Sequence, residues 1–198
     1  METTKEMYAE AGEFYDVVSD EQWRLRKTDF QRVLSRLGAV EGVILDIGSG
    51  TGHGVVVAAE ALPDADIFAI EPSPTMRTAL LSRVMQTGNL RQRVTVIPST
   101  FETAELPDRL RAVLFLGCIG FVDDNVRRGF WARLAPRMSP EALVLVDVMM
   151  ISRPQIVEKT RLAKIPVGHN TYHVWLEGVP KDDLYLPKIG RASCRERV

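Results

Sequence analysis

Two acids and a run of glycines are the part of this chain best equipped for chemistry. Asp46-Ile47-Gly48-Ser49-Gly50-Thr51-Gly52 sets a carboxylate at the end of the apolar run Val43-Ile44-Leu45 and then makes every second residue glycine. Glycine lets backbone approach a ligand closely, and the helix start that follows leaves N–H groups free to face an anionic group. Glu71 closes a second apolar run, Ile67-Phe68-Ala69-Ile70, and stands 19 positions beyond Gly52. A carboxylate there can accept hydrogen bonds from both hydroxyls of a ribose. The pattern suits a nucleotide-like ligand.

Spacing narrows the ligand. The dinucleotide fingerprint G-x-G-x-x-G needs glycine at position 53 or 55, where the chain has His53 and Val55. The phosphate-cradling loop that ends in Gly-Lys-Ser/Thr is absent. Cys118 has no neighbouring base in the sequence, so it reads as a buried structural thiol. The two cysteines, Cys118 and Cys194, make neither a disulfide framework nor a zinc site, and no metal is expected.

The elements that position these residues follow from periodicity. Residues 4–19 and about 21–37 read as two helices, the second with Trp23, Phe30, Val33, Leu34 and Leu37 on one face and Gly38 after its end. Trp23 and Phe30 read as core packing. Val43–Ile47, Ile67–Ile70, Val94–Ile97, Arg111–Leu116 and Ala142–Val148 read as five strands, with a helix over Val55–Leu62. Ser73 caps a further helix, with Pro74 at its first position and Met76, Leu80, Leu81 and Val84 on one face. Asp123 is placed to cap the helix that carries Val126, Phe130, Trp131 and Leu134. Strands alternating with helices predict an α/β, Rossmann-like doubly wound parallel sheet. Beyond residue 151 the alternation changes. Val157–Ile165 and Thr171–Glu177 read as an antiparallel hairpin turning near Gly168-His169-Asn170, with a third short strand after Asp183.

The Asp46–Gly52 pattern resembles motif I of the class I S-adenosylmethionine-dependent methyltransferases, and the likeness runs from about Phe14 to Val148. The resemblance implies that Asp46 and the backbone of Gly48, Ser49, Gly50, Thr51 and Gly52 hold the methionine end of S-adenosyl-L-methionine. It implies that Glu71 holds the ribose, with Pro72 and Met76 nearby, and that Gly117 and Cys118 form a small uncharged wall beside the sulfonium. Thr100 departs from the acidic residue the family often carries there; its hydroxyl and the N–H of Phe101 are the groups left to meet the adenine. Glu13-Phe14-Tyr15-Asp16 resembles a stretch on a helix that covers the cofactor in small-molecule methyltransferases, which makes Tyr15 a lid candidate. Antiparallel strands after the fifth strand commonly form part of the family's substrate pocket, so His169, Tyr172, His173 and Trp175 are candidate substrate contacts, beside the alternative of a surface hairpin with ordinary cross-strand pairs. Tyr15, His169 and His173 are the candidates for a base, and transfer by proximity alone fits as well. Together with Ala69-Ile70-Glu71-Pro72-Ser73-Pro74, these segments resemble bacterial natural-product tailoring enzymes, including those that methylate an amine of daptide-type peptides. The product cofactor would be S-adenosyl-L-homocysteine.

The sequence thus divides into an N-terminal helical cap (1–38), a cofactor-binding core (39–150), an antiparallel substrate-side region (151–187) and a tail (188–198). The tail carries four basic residues and one acid, contributing +3 to a net charge of −1 and leaving −4 for the rest. It resembles translated sequencing-adaptor DNA, so the natural sequence is expected to end near Pro187, with the true C-terminus missing. The family's sixth and seventh strands would then be lacking and the fifth strand left as an exposed edge. With 198 residues, 45% of them hydrophobic and 26% charged, the chain reads as one domain of ordinary size. No basic stripe in the main body points to nucleic acid, and no apolar run suits a membrane span. The polar, acidic start is unlike a signal peptide, so a cytoplasmic protein is expected; its oligomeric state is not legible.

The expected activity is methyl transfer to a nitrogen or oxygen of a small-molecule or peptide acceptor. Competing readings are a non-catalytic S-adenosylmethionine-binding domain, an inactive truncated fragment and an NAD(P)-dependent oxidoreductase. The mismatch at His53 and Val55 speaks against the last.

Overall fold

A computed structural model describes residues 12–119, 122, 124–148, 156–181 and 184–190. These fall into two compact units, one of residues 23–148 and one of residues 12–22 with 156–190.

The first unit is built on a five-stranded parallel sheet. Its strands are β1 (Val43–Ile47), β2 (Ile67–Ile70), β3 (Val94–Ile97), β4 (Leu110–Leu116) and β5 (Met138–Asp147), in the order β3-β2-β1-β4-β5. β1 pairs with β2 and β4, so it is central and its residues are apolar on both faces until Asp46. One face packs Leu34, Ile44, Val55, Ala58, Leu80 and Leu114 into a core; the other packs Leu45, Ile47, Phe115, Phe130 and Leu134. The helices are α1 (Tyr15–Leu34), α2 (His53–Ala61), α3 (Pro74–Gln86), the single turn α4 (Leu90–Arg93) and α5 (Asp124–Leu134). α3 begins as its sequence requires: Ser73 Oγ accepts from the Met76 N–H at 3.4 Å, and Pro74 holds the first position.

Three departures from the sequence reading have local causes. The expected break between two N-terminal helices is absent: α1 runs unbroken from Tyr15 to Leu34, then tightens into a 3-10 turn over Ser35–Leu37. No glycine or proline interrupts this stretch, and Ser19 is a mild helix former whose side chain is buried. β5 starts at Met138 rather than Ala142, with an irregularity where Leu110 pairs with Met138 but Ala112 pairs with Leu143. The loop of strand between them holds Pro140, which has no N–H to give, and Glu141, at a φ of 65°. β4 carries the matching feature at Arg111, which is skipped in its pairing with β1. Asp123, expected to cap α5, and the first helical stretch up to residue 11 lie outside the described residues.

Arg111 explains why a charge stands in an otherwise apolar strand. Only 3% exposed, it donates to the carbonyls of Leu37 (3.2 and 3.0 Å) and Gly38 (2.9 Å), and to Asp64 at 3.0 Å. It therefore caps the C-terminal end of α1, where carbonyls lack helical partners and the helix dipole favours a cation.

At the end of the sheet order, β5 leaves Val144 and Val146 exposed, while Leu143 and Leu145 pack inward on the α1 side. The second unit is a three-stranded antiparallel sheet of β6 (Val157–Val167), β7 (Asn170–Lys181) and β8 (Leu184–Gly190), in that order, so the expected third strand is present. β8 carries across the boundary drawn after Pro187. Gly168 and His169 form the two-residue turn, with Gly168 at a φ of 58° in the first position. The Phe14 ring packs on Tyr172 at 5.7 Å, which ties the start of α1 to β7.

Replacing Arg111 by Met should cost about 1–3 kcal/mol in urea unfolding, because the buried Leu37 carbonyl and the part-buried Gly38 carbonyl lose charged donors. Replacing its exposed partner Asp64 by Asn should cost less than about 1 kcal/mol, and an equal loss in both variants would refute the capping role.

Candidate functional site

At the carboxyl end of β1 the chain makes its glycine turn, Gly48 to Gly52. Gly48, Gly50 and Gly52 stand at φ values of 67°, 55° and 90°, in the left-handed region that L side chains rarely adopt. Two of them are also crowded. A Cβ on Gly48 would lie 2.9 Å from Cβ of Cys118, and one on Gly52 would lie 2.6 Å from Leu80 Cδ1. The alternation seen in the sequence is thus a backbone requirement.

Asp46 sits beneath this turn, 2% exposed, and its Oδ2 has no hydrogen-bond partner among the described residues. Burial pushes its carboxyl up to about 7; the neighbouring Ser49 hydroxyl pulls the other way, and the Glu71 charge adds to the rise. Ser49 Oγ also donates to the backbone carbonyl of Asp46 at 2.9 Å. Gly54, in the first turn of α2, is part of the same arrangement: a Cβ there would stand 3.1 Å from Asp46 Oδ2. The sequence reading did not single out Gly54, although its place in the glycine run was the available signal.

Glu71 is buried too, but both its oxygens are used. Oε2 accepts from Gly50 N at 2.8 Å and Oε1 from Ser73 N at 2.7 Å. Burial raises its carboxyl, while those two N–H groups and the Arg77 charge oppose the rise. Glu71 therefore ties the middle of the glycine turn to the end of β2 and the start of α3, with lone pairs left over for further donors.

Cys118 follows β4 and donates its thiol to the Ile47 carbonyl at 3.0 Å. Burial, then the charges of Asp46 and Glu71, push that thiol up to about 12, so it stays neutral and is no nucleophile. Beside it Gly117 stands at a φ of 77°, and a Cβ there would project into open space.

Asp46, the turn, Glu71 and Cys118 thus gather at the carboxyl ends of β1, β2 and β4, where open parallel sheets bind ligands. Other candidates are placed differently. Met76 is fully buried, and Pro72 stands between Glu71 and Ser73. Thr100 follows β3, exposed, its hydroxyl 3.1 Å from that of Thr103. The Phe101 ring packs edge-on against Phe130 at 4.9 Å, part of the core. Tyr15, His169 and His173 belong to the second unit, with His169 exposed at the hairpin turn and His173 half-buried on β7. Among the described residues, no group of three or more His, Cys, Asp or Glu could hold a metal ion.

Residues 44–141, about half the chain, match the family described as a methyltransferase domain, and they span the sheet from β1 into β5 with the glycine turn inside. The chain carries a methyltransferase domain. Solved structures share the fold at low identity. The methyltransferase is similar to DesVI of Streptomyces venezuelae, with a TM-score of 0.67 and 12% identity over 94% of this chain and 83% of that one. It is similar to CalS10, an amino pentose methyltransferase from Micromonospora echinaspora, at 0.63 and 14% over 92% and 83%. The glycopeptide N-methyltransferase MtfA, in complex with S-adenosyl-L-homocysteine, matches at 0.56 and 19% over 84% and 73%.

The Asp46 environment gives a pH dependence with a definite sign. Between the ordinary value of 3.8 and about 7, the folded methyltransferase holds a proton that the unfolded chain has released, so stability falls as pH rises through this window and levels off above it. Asp46→Asn should remove that fall and raise the melting temperature at about pH 8, where the wild type bears the buried charge. Thermal melts of both proteins across the window test this; parallel profiles would refute it.

Proposed function

We propose that this methyltransferase transfers the methyl group of S-adenosyl-L-methionine to a nitrogen or oxygen nucleophile of a small-molecule or peptide natural product. One observation carries the cofactor half: a buried carboxylate oxygen without a partner, beneath three left-handed glycines. An ammonium group is the natural partner for such an oxygen, since a buried charge needs a counter-charge and a donor. Asp46 would hold the methionine ammonium, and the turn's backbone its carboxylate end. The remaining lone pairs of Glu71 would hold the ribose hydroxyls.

When bound, S-adenosyl-L-methionine supplies an electrophilic methyl group on a sulfonium. What the chain supplies is position and surroundings. The neutral Cys118 thiol and the open side of Gly117 offer a wall that neither competes for the methyl group nor blocks an acceptor's approach. Transfer of this kind gains most from orientation and exclusion of water. Tyr15, His169 and His173 are the proposed acceptor-side groups, with either histidine able to take a proton from an amine or hydroxyl acceptor. The acceptor half is supported by the kind of enzyme the fold resembles, since CalS10 is an amino pentose methyltransferase and MtfA a glycopeptide N-methyltransferase.

Calorimetric titration with S-adenosyl-L-homocysteine should show saturable binding by the wild type, weakened at least about tenfold in Asp46→Asn. Because Asp46 must ionise to meet an ammonium, the wild-type affinity should rise with pH and level off above about 7. Binding of a nicotinamide dinucleotide instead would favour the oxidoreductase reading. Labelled methyl transfer is then screened over amine- and hydroxyl-bearing acceptors, with His169→Ala and His173→Ala expected to lower turnover about 100-fold or more for whichever histidine is the base. Tight cofactor binding with no transfer to any acceptor would support a non-catalytic binding domain.

A further inference from the structure

The far end of the glycine turn is gripped by residues that the cofactor reading does not use. His53 follows Gly52 directly and opens α2. Its ring is stacked on Trp23 of α1, with centroids 5.4 Å apart and planes 11° from parallel. On α3, Arg83 brings one guanidinium nitrogen to 3.3 Å from His53 Nε2 and donates Nε–H to the Thr51 carbonyl at 2.9 Å. A guanidinium only donates, so in this contact Nε2 is the acceptor. Trp23 is itself held: Arg26 lies 5.2 Å from its ring centroid, Phe30 meets it edge-on at 6.0 Å, and Arg26 pairs with Asp147 at the end of β5.

We propose that Trp23 and Arg83 are positioning residues for the cofactor, holding the turn's last residues through the His53 ring and the Thr51 carbonyl so that the start of α2 is set where the cofactor's anionic end arrives. This rests on the cofactor reading above and deepens it.

The physical need is plain. A turn with three left-handed glycines has more freedom to lose than any other sequence would, and a ligand that must order it binds more weakly. Glu71 fixes the middle of the turn through Gly50. At its end the turn's own sequence supplies a single backbone bond, from the Gly52 N–H to the Ser49 carbonyl at 2.9 Å. Arg83 and Trp23 hold that end from two different helices, and their two grips meet at one imidazole. The stack also gives His53 a purpose that its mismatch to a dinucleotide fingerprint left open.

The test compares Trp23→Leu, Arg83→Met, the double variant and the ring-preserving Trp23→Phe, with Asp46→Asn as the control for the cofactor reading. Titration with S-adenosyl-L-homocysteine and thermal melting are measured on each. Each disruptive single variant should weaken binding about tenfold, and Trp23→Phe should stay within about threefold of wild type. The double variant should fall short of the product of the singles, because both act through His53. If a disruptive variant does not fold, Arg83→Lys takes its place, since one ammonium cannot reproduce the planar guanidinium's two contacts and should still weaken binding severalfold. Lower melting temperatures with unchanged affinity in variants that fold would overturn the positioning role alone. A wild type that takes up no S-adenosyl-L-homocysteine, or an Asp46→Asn variant that binds it as well as wild type, would overturn the cofactor reading and this proposal with it.

Discussion

An ionisable carboxylate at the end of the central strand, shut away from water with one oxygen unpaired, constrains everything around it. Asp46 lies between Ala69 of β2 and Leu114 of β4, under α2, with no cation among the described residues paired to it. Such a group opposes folding, so the two hydrophobic cores on either face of the sheet must outweigh it. A protein keeps a conflict of this kind where function needs it. Every tight feature nearby follows from the same placement: the bare first turn of α2 at Gly54, the left-handed glycines, and the small neutral Cys118 packed against Gly48.

The two acids that looked alike in the sequence have different physics. Glu71 is satisfied by backbone N–H groups on both oxygens, which makes it first a brace for the glycine turn and only then a ligand group. Asp46 is not satisfied. The difference arises from the chain's path. β2 ends where the backbone of Ser73 turns back toward Glu71 to start α3, whereas the turn after β1 gives its N–H groups at Gly48, Ser49, Gly50 and Gly52 to the Ile70 carbonyl, Glu71 and the Ser49 carbonyl rather than to its own acid.

Local chemistry was legible in the sequence and long-range chemistry was not. The five strands, the glycine turn, the Ser73-Pro74 helix start and the hairpin around Gly168-His169 each rest on residues within a few positions of one another, and each is where those residues place it. The continuous α1 was missed because Ser19-Asp20 has the composition of a helix start, and only the buried packing of Ser19 shows that the helix passes straight through. Arg111 at a skipped position, the late-paired start of β5 and the Trp23–His53–Arg83 assembly join residues 28 or more positions apart. Composition and spacing carry no record of such pairings. Trp23 read as core packing, and nothing beside it in the chain marks the imidazole that it covers.

The strand order also sets a timetable for synthesis. β1, β2 and β3 lie close together in the chain and can pair as they leave the ribosome, but the other flank of β1 waits for β4, which begins more than 60 residues later. Until then one flank of Asp46 has no strand beside it. Its enclosure is complete only with β4 in place, which also brings Leu114, Phe115 and the Cys118 thiol to β1. A nascent chain halted before that point would present β1 as an open, strongly apolar edge, the kind of surface that chaperones bind and that aggregates form upon.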